Sequence, residues 1–415
     1  MKRNLDLTSR RGFLKTAGAL TAAGATGALG LASIPGRANA APATFSHPGG
    51  LHNAGDINRA KVKVAAGEDP WRSGWNRLIA NSHSQPSWTP RPQATVYRGG
   101  SDPQNYGILY NDIAAAYQNA LRWHIQGVAA HGDCARDILN AWSSTLTSIK
   151  GNADRFLAVG IYGWQFANVG ELMRGYPGFD LGRFQNMMRT VFYPMNDDFL
   201  YGGDDGVSHN GACITNYWAN WDLCNMASVM AIGILCDDGP MFDRAVNYFR
   251  NGAGNGSIRN AVPFVYDSQG LAQWQESGRD QGHTMMGMGQ MGAICEMAWN
   301  QGVDLYGADS NRFMKAAQYV AKYNLGEDVP FTKYTWGSGT NCAYNEQTTI
   351  SSSSRGQLRP VWAMLDSHYR RRRNLSVPYI QRMAQAVHPE GGGGDYGSTS
   401  GGFDQLGFGT LMYSK

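Results

Sequence analysis

Residues 281–302 decide the fold, and they read QGHTMMGMGQMGAICEMAWNQG. Drawn as a helix, this segment carries apolar or small side chains on nearly every side. Its interior contains Gly287, Gly289 and Gly292, followed by Ala293. A glycine inside a helix costs about 1 kcal/mol relative to alanine, so it usually marks close approach of another backbone. The segment is therefore predicted to be an inner helix of a two-layer helical barrel.

The rest of the chain from residue 106 onward is also predicted to be mainly helical. Ile108, Ile113 and Leu121 recur with helical spacing in 106–126. Further helices are predicted at 133–149, 154–171, 180–194, 212–236, 240–250, 309–324, 356–370 and 376–388. Strand signals are sparse, which disfavours a parallel α/β fold. The predicted fold class is all-α, a single α/α toroid (an incomplete helical barrel with long loops) over residues 41–415.

The first forty residues are predicted to be a twin-arginine signal peptide. Arg10 and Arg11 precede Phe-Leu-Lys and a mild Ala/Gly/Leu stretch, and residues 38–40 form a small-x-small cleavage site. A transmembrane anchor is disfavoured because the stretch is rich in Gly and Ala and ends in that site. We expect export by the twin-arginine machinery to the extracellular space, or to the periplasm of a Gram-negative source, with no membrane contact after cleavage.

The charge balance argues against a nucleic-acid partner. The 415 residues carry a formal charge of +4, but residues 1–40 hold six basic residues and one acidic residue, so the remainder carries −1. No bulk electrostatic attraction to a polyanion remains. The chain has six cysteines and no Cys-x-x-Cys pair, and we predict neither a metal nor another cofactor. Cys213, Cys224 and Cys236 lie in an apolar stretch and are predicted to be buried free thiols.

Two polar segments carry candidate chemistry, and the first is residues 213–226, CITNYWANWDLCNM. On a helix, Asn216 and Asn220 lie four residues apart and share a face. Buried amides need hydrogen-bond partners. Two interpretations stay open: amides that bond neighbouring loops in a core helix, or amide donors to a substrate carboxylate beside indoles that stack on sugar rings.

The second segment, residues 274–284, reads WQESGRDQGHT and leads into the apolar helix. Asp280 is predicted to be the N-cap of that helix, with His283 in its first turn. A helix N-terminus disfavours imidazolium, so His283 is expected to stay neutral and able to act as a base. The same helix end attracts anions, and Arg279 stands beside it.

These two segments resemble signatures of bacterial alginate-lyase-like proteins. The quoted residues are Asn-Trp-Asp-Leu-Cys-Asn at 220–225, the whole of 274–284, and the ending Gly-Gly-Phe-Asp-Gln-Leu-Gly-Phe-Gly at 401–409. The likeness is greatest to polysaccharide lyase family 38, which includes alginate and glucuronan lyases. It implies an α/α toroid and metal-independent β-elimination on 1,4-linked uronic acids, an acidic polysaccharide substrate.

The resemblance also implies roles for single residues. Asn220 and His283 would bind the substrate carboxylate, Glu276 would position His283 or the sugar, and an arginine and a tyrosine would follow downstream. We favour Tyr344 as base and acid, because its polar, glycine-preceded loop could reach a cleft, and we expect Arg279 to serve as the arginine. The remaining predicted substrate contacts are His209, Asn216, Trp221, Trp274, Tyr334 and Arg355.

Two rival functions stay open. An exported glycoside hydrolase on the same barrel would need two opposed carboxylates, drawn from Asp222, Glu276 and Asp280. A non-catalytic polysaccharide-binding protein would bind the polymer without turnover. The lyase is preferred because an amide, an imidazole and a guanidinium suit the stabilisation of charge that builds on a uronate carboxylate.

Overall fold

The structure is a computed structural model that describes residues 40–337 and 341–415. The predicted signal peptide lies outside these residues, apart from its last residue. The longer helices are α1 (Ala54–Ala65), α2 (Trp71–Ala80), α3 (Tyr106–Gln126), α4 (Ala129–Thr145), α5 (Asp154–Leu172), α6 (Leu181–Met187), α7 (Tyr193–Tyr201), α8 (Ala219–Leu235), α9 (Gly239–Asn251), α11 (Gln281–Asn300), α12 (Ala308–Asn324) and α14 (Pro378–Val387). The short ones are α10 (Ile258–Ala261), α13 (Trp362–Asp366) and α15 (Gly409–Tyr413).

Three two-stranded sheets complete the described part of the chain. They pair β1 (Thr95–Tyr97) with β2 (Ser148–Lys150), β3 (Phe264–Tyr266) with β4 (Leu271–Gln273), and β5 (Tyr334–Trp336) with β6 (Asn345–Gln347). The first pair is parallel and the other two are antiparallel. Within residues 40–337 and 341–415, no helix has both the length and the apolar character needed to cross a membrane.

The helices form an inner and an outer layer, as the glycine pattern predicts. α3, α5, α8 and α11 pack one against the next. The outer helices α4, α9 and α12 pack against α3, α8 and α11, which they follow in the chain. Nearly all of α5, α8 and α11 is buried, whereas α9 buries only one face. The last helix, α15, packs against α1 and α2. The architecture is therefore the predicted α/α toroid, with loops joining the layers.

Glycines bring the inner helices close together. A β-carbon on Gly287 of α11 would lie 2.8 Å from the ring of Trp274, which is fully buried. In α5, Gly160 and Gly163 face Cys224 and Ser228 of α8 at distances that leave no room for a methyl group. Close approach explains these glycines despite their helical cost.

Several local predictions differ from the structure. α8 begins at Ala219, so Asn216 lies in the preceding turn and does not share a helical face with Asn220. No helix was predicted before residue 106, so α1 and α2 were missed. Cys213 is not a free thiol: it forms a disulfide with Cys342, with Cα atoms 5.2 Å apart. Sequence separation hid this pair, since the two cysteines are 129 positions apart in the chain.

The disulfide ties the β5–β6 hairpin to the turn before α8. Beside it, the backbone N–H of Ala343 donates to the Asn216 side-chain oxygen at 2.8 Å, and the Trp336 indole N–H donates to the Asn216 carbonyl at 3.4 Å. Asn216 therefore anchors a loop through its own side chain and backbone. The other two predicted thiols, Cys224 and Cys236, are free and buried, as expected.

Candidate active site

The first turns of three inner helices meet at one cleft of about 390 Å³. Asp154 and Leu157 come from α5, Asn220 and Trp221 from α8, and His283 from α11. The positive ends of helix dipoles and their unpaired N–H groups favour anions. The ring of parallel inner helices thus gives the cleft a preference for negative ligands before any charged side chain is considered.

A fully buried carboxylate organises one wall of the cleft. Both oxygens of Glu276 accept from the side-chain nitrogen of Asn220, at 3.0 and 2.8 Å, and one also accepts from the Asn220 backbone at 3.0 Å. The Arg279 guanidinium donates to Glu276 at 2.9 Å. Burial raises the pKa of Glu276, although Arg279, His283 and Asn220 oppose the shift. In this structure the side-chain amide of Asn220 therefore donates to Glu276 and not to the cleft, and Glu276 in turn accepts from Arg279.

Asp280 holds His283 at the mouth of α11. One carboxylate oxygen accepts the backbone N–H of His283 at 2.8 Å, which confirms the predicted N-cap. The other lies 2.7 Å from ring Nδ1. Burial acts to raise the pKa of Asp280, but the hydrogen bonds from His283 outweigh it and the pKa is lowered. An ionised carboxylate only accepts hydrogen bonds. In this contact the Nδ1–H group of His283 is therefore the hydrogen-bond donor to Asp280.

The other ring nitrogen of His283 is an acceptor. Nη2 of Arg279 lies 3.2 Å from Nε2 of His283, and a guanidinium can only donate. With Nδ1 protonated and Nε2 accepting, the imidazole has the hydrogen-bond pattern of the neutral form. A continuous series of hydrogen bonds thus joins Asn220, Glu276, Arg279, His283 and Asp280.

Aromatic rings flank this series. Arg279 lies 4.9 Å from the ring centroid of Trp218, within the range of a cation–π contact. Trp218 packs against Trp336 of the β5–β6 hairpin, with ring centroids 3.8 Å apart. Trp221 lines the cleft itself and packs on Tyr217 at 4.6 Å. The predicted sugar contact at Trp221 is therefore in a suitable place, and its role stays a prediction.

Other predicted site residues do not reach the cleft. Tyr344 is 65% exposed, and its hydroxyl donates to Glu346 of the same hairpin at 3.3 Å. The Tyr334 hydroxyl accepts from Gln275 at 3.3 Å. Arg355 donates to the Tyr323 carbonyl at 2.8 Å and so closes the end of α12. Burial raises the pKa of Tyr334.

Two more predicted contacts are buried behind the site. His209 is fully buried, and its Nε2 lies 2.9 Å from Asp222. Trp274 is fully buried against α11 and offers no face to a sugar. Asp222 is also buried, where it bonds Tyr248 at 3.2 Å and the backbone N–H of Gly256 at 2.9 Å in addition to His209. These side chains support the wall from within.

Four charged residues of the cleft were missed by sequence reasoning, and one of them is Asp154 in the first turn of α5. Arg98 follows β1, Arg359 precedes α13, and Asp404 belongs to the glycine-rich ending. Only Asp404 carried a signal, because it lies in the quoted stretch at 401–409. The arginines stand far along the chain from both polar segments, so spacing alone could not bring them together.

The sequence profile of the alginate lyase family matches residues 83–330. The chain belongs to the alginate lyase family. Membership makes it an enzyme of the predicted kind, a carbon–oxygen lyase that acts on polysaccharides. The narrower likeness to polysaccharide lyase family 38 stays a prediction.

Solved alginate lyases have the same fold. Alginate lyase A1-III from Sphingomonas species A1 is 15% identical, with a TM-score of 0.56 over 90% of this chain and 98% of its own. An alginate lyase from Bacteroides ovatus is 12% identical, with a TM-score of 0.56 over 89% and 99%. A histidine-to-alanine variant of A1-III, complexed with a tetrasaccharide, matches at 16% identity and a TM-score of 0.52 over 90% and 97%. No curated protein sequence matches significantly.

Proposed function

We propose that this member of the alginate lyase family cleaves 1,4-linked uronic acid polymers, alginate or glucuronan, by metal-independent β-elimination in the cleft at His283. The observation that carries the proposal is the placement of the His283 ring in the cleft, with Nδ1 2.7 Å from Asp280 and Nε2 3.2 Å from Arg279. The tetrasaccharide bound to a variant of A1-III supports an oligosaccharide ligand for this fold. Export by the twin-arginine route and an extracellular or periplasmic location remain part of the proposal.

The C5 proton of a uronate is weakly acidic, so the enzyme must stabilise the charge that builds on the neighbouring carboxylate. Arg279 and the helix N-termini supply positive charge for this purpose. Glu276 and Asn220 hold Arg279 from behind. We therefore assign carboxylate binding to Arg279, and a positioning role to Asn220 and Glu276.

His283 is the proposed base and acid. Nε2 takes the C5 proton, the C5–H electron pair forms the C4–C5 double bond, and the C4–O4 bond breaks. The same nitrogen then returns the proton to O4, so atoms and charges balance. A substrate carboxylate that binds Arg279 competes with Nε2 for the guanidinium and frees the lone pair. Tyr344 needs no part in this scheme, because His283 already lines the cleft.

The test is product chemistry. The protein is incubated with polymannuronate, polyguluronate, glucuronan and pectate, and the ultraviolet absorbance of the unsaturated uronate is followed. His283→Ala is expected to lower kcat at least about 100-fold, the lower range for a general base. His388→Ala, at an exposed histidine outside the cleft, is the matched control and should match the parent.

The rival functions predict different outcomes. Cleavage without the absorbance would identify a hydrolase, although Asp222 is buried with three hydrogen bonds and does not face the cleft. Binding of the polymers without any cleavage would identify a binding protein. Parental turnover in His283→Ala would reject the assigned base while leaving the lyase activity standing.

A further inference from the structure

A second cationic group lies in the same cleft, outside the series of bonds that holds His283. Arg359 is only 6% exposed, and its Nη1 lies 3.5 Å from Asp404. Its buried Nε finds no hydrogen-bond partner among the described residues. Buried guanidinium groups normally satisfy their donors. Arg359 therefore lines the cleft and holds one donor that no described residue satisfies.

Arg98 adds a second guanidinium to this group. Its Nη1 donates to the Tyr162 hydroxyl at 3.0 Å, and the guanidinium lies 5.0 Å from the ring centroid of Tyr106. These neutral partners orient Arg98 without cancelling its charge. Asp404 is the buried acid nearby, and burial raises its pKa although Arg359, Arg98 and His283 all oppose the shift. Asp154 also lines the cleft and interacts electrostatically with Arg98, so the two guanidinium groups face two carboxylates, Asp404 and Asp154.

The two guanidinium groups, one of them with an unpartnered donor, point to an anionic ligand of definite shape. A guanidinium presents paired N–H donors in one plane, which matches the two oxygens of a carboxylate. In a uronic acid polymer every sugar carries one carboxylate. In the proposed function, the carboxylate of the sugar that loses its C5 proton binds Arg279. Arg98 and Arg359 are then available to the carboxylate of a neighbouring sugar.

We propose that Arg98 and Arg359 form a second carboxylate subsite, which binds the uronate next to the one that undergoes elimination. This proposal rests on the proposed function. The subsite makes two adjacent carboxylates, rather than one, the feature that the enzyme recognises. Neutral sugars beside the reacting uronate would then be poor substrates.

The experiment pairs a change in the enzyme with a change in the substrate. Uronate trisaccharides are prepared unmodified, or with the carboxylate of one end sugar reduced to a primary alcohol, for each end in turn. For the parent, one of the two reductions should raise KM about 10-fold to 100-fold, the scale of one hydrogen-bonded charge pair. In Arg359→Gln, KM for the unmodified trisaccharide should already be raised. The carboxylate-to-alcohol change that weakens binding to the parent should then alter KM of this variant less than about twofold.

Controls separate recognition from folding and chemistry. Arg183→Gln, on the outer helix α6, should keep the parental dependence on the carboxylate. Thermal unfolding shows whether Arg359→Gln folds, and Arg98→Gln provides an independent variant of the same subsite. We expect kcat to change much less than KM, because neither arginine contacts the reacting sugar.

Two failures are distinguishable. If the parent cleaves trisaccharides and Arg359→Gln and Arg98→Gln retain its full carboxylate dependence, the subsite is rejected and the lyase function stands. If the parent cleaves no uronate, the proposed function fails, and calorimetric binding of the same trisaccharides then decides the subsite. Loss of carboxylate-dependent binding in the two variants supports it, and unchanged binding overturns it.

Discussion

Asp280 performs two tasks with two oxygens, and Asp280→Asn leaves only one oxygen to perform them. One oxygen caps α11 through the His283 backbone at 2.8 Å, and the other holds the His283 ring at 2.7 Å. If the asparagine oxygen keeps the cap, its NH₂ group faces Nδ1. The ring proton must then move to Nε2, which can no longer accept from Arg279. If the amide is flipped, the ring keeps its tautomer and the cap is lost.

The energies favour the second arrangement. Loss of an N-cap costs about 1 kcal/mol. Loss of the bond from a charged Arg279 costs about 1.5–3 kcal/mol. We therefore expect Asp280→Asn to lower the free energy of unfolding by about 1 kcal/mol. The variant also lacks the negative charge that pairs with the imidazolium formed during proton transfer, so kcat should fall about 10-fold to 100-fold.

Initial rates from the product absorbance give kcat, and urea unfolding gives the stability. Asp280→Ala serves as the comparison, because it loses the cap and the ring contact together. It should be at least as unstable as Asp280→Asn and less active. The reasoning is refuted if Asp280→Asn has parental stability and a kcat within about twofold of the parent.

Three further predictions concern stability. Gly287→Ala should destabilise the fold by about 1–3 kcal/mol in urea unfolding, because the buried indole of Trp274 leaves no space for a β-carbon. Gly182→Ala is the control: a β-carbon there lies 4.0 Å from its nearest neighbour, so alanine should stabilise the fold by up to about 1 kcal/mol. Burial raises the pKa of Glu390 from 4.5 to about 7, so the unfolded chain ionises first. Stability should therefore fall by up to about 3 kcal/mol as the pH rises through that window, and Glu390→Gln should lack this slope in pH-dependent unfolding. Reduction of the Cys213–Cys342 disulfide should cost about 2–4 kcal/mol, and denaturation of Cys342→Ser should not respond to reductant.

Helical periodicity predicted the toroid well, because the inner helices are long and apolar all round. Tyr106–Gln126 was predicted with its exact bounds, and α5 and α11 within one or two residues at each end. The start of α8 was placed too early at 212, because residues 213–218 have helix-like spacing but are held as a turn by the disulfide at Cys213. Such a constraint from a distant part of the chain leaves no local periodic signal.

The candidate site was predictable where it is local. Asp280 and His283 form a cap within one turn, so spacing alone indicated their contact. Asn220 and Glu276 were both chosen, but their mutual bond depends on the packing of α8 against α11. Tyr344 was chosen because its loop is polar, and exposure of a loop does not determine which cleft it faces.

The series of hydrogen bonds through Asn220, Glu276, Arg279, His283 and Asp280 also limits which substitutions these positions can accept during evolution. Each side chain bonds the next, so a single replacement leaves a neighbouring donor or acceptor without its partner in the series. Substitutions here should show strong epistasis, with tolerated changes arriving as compensating pairs. Homologues should therefore either retain the whole set or have exchanged several of its members together.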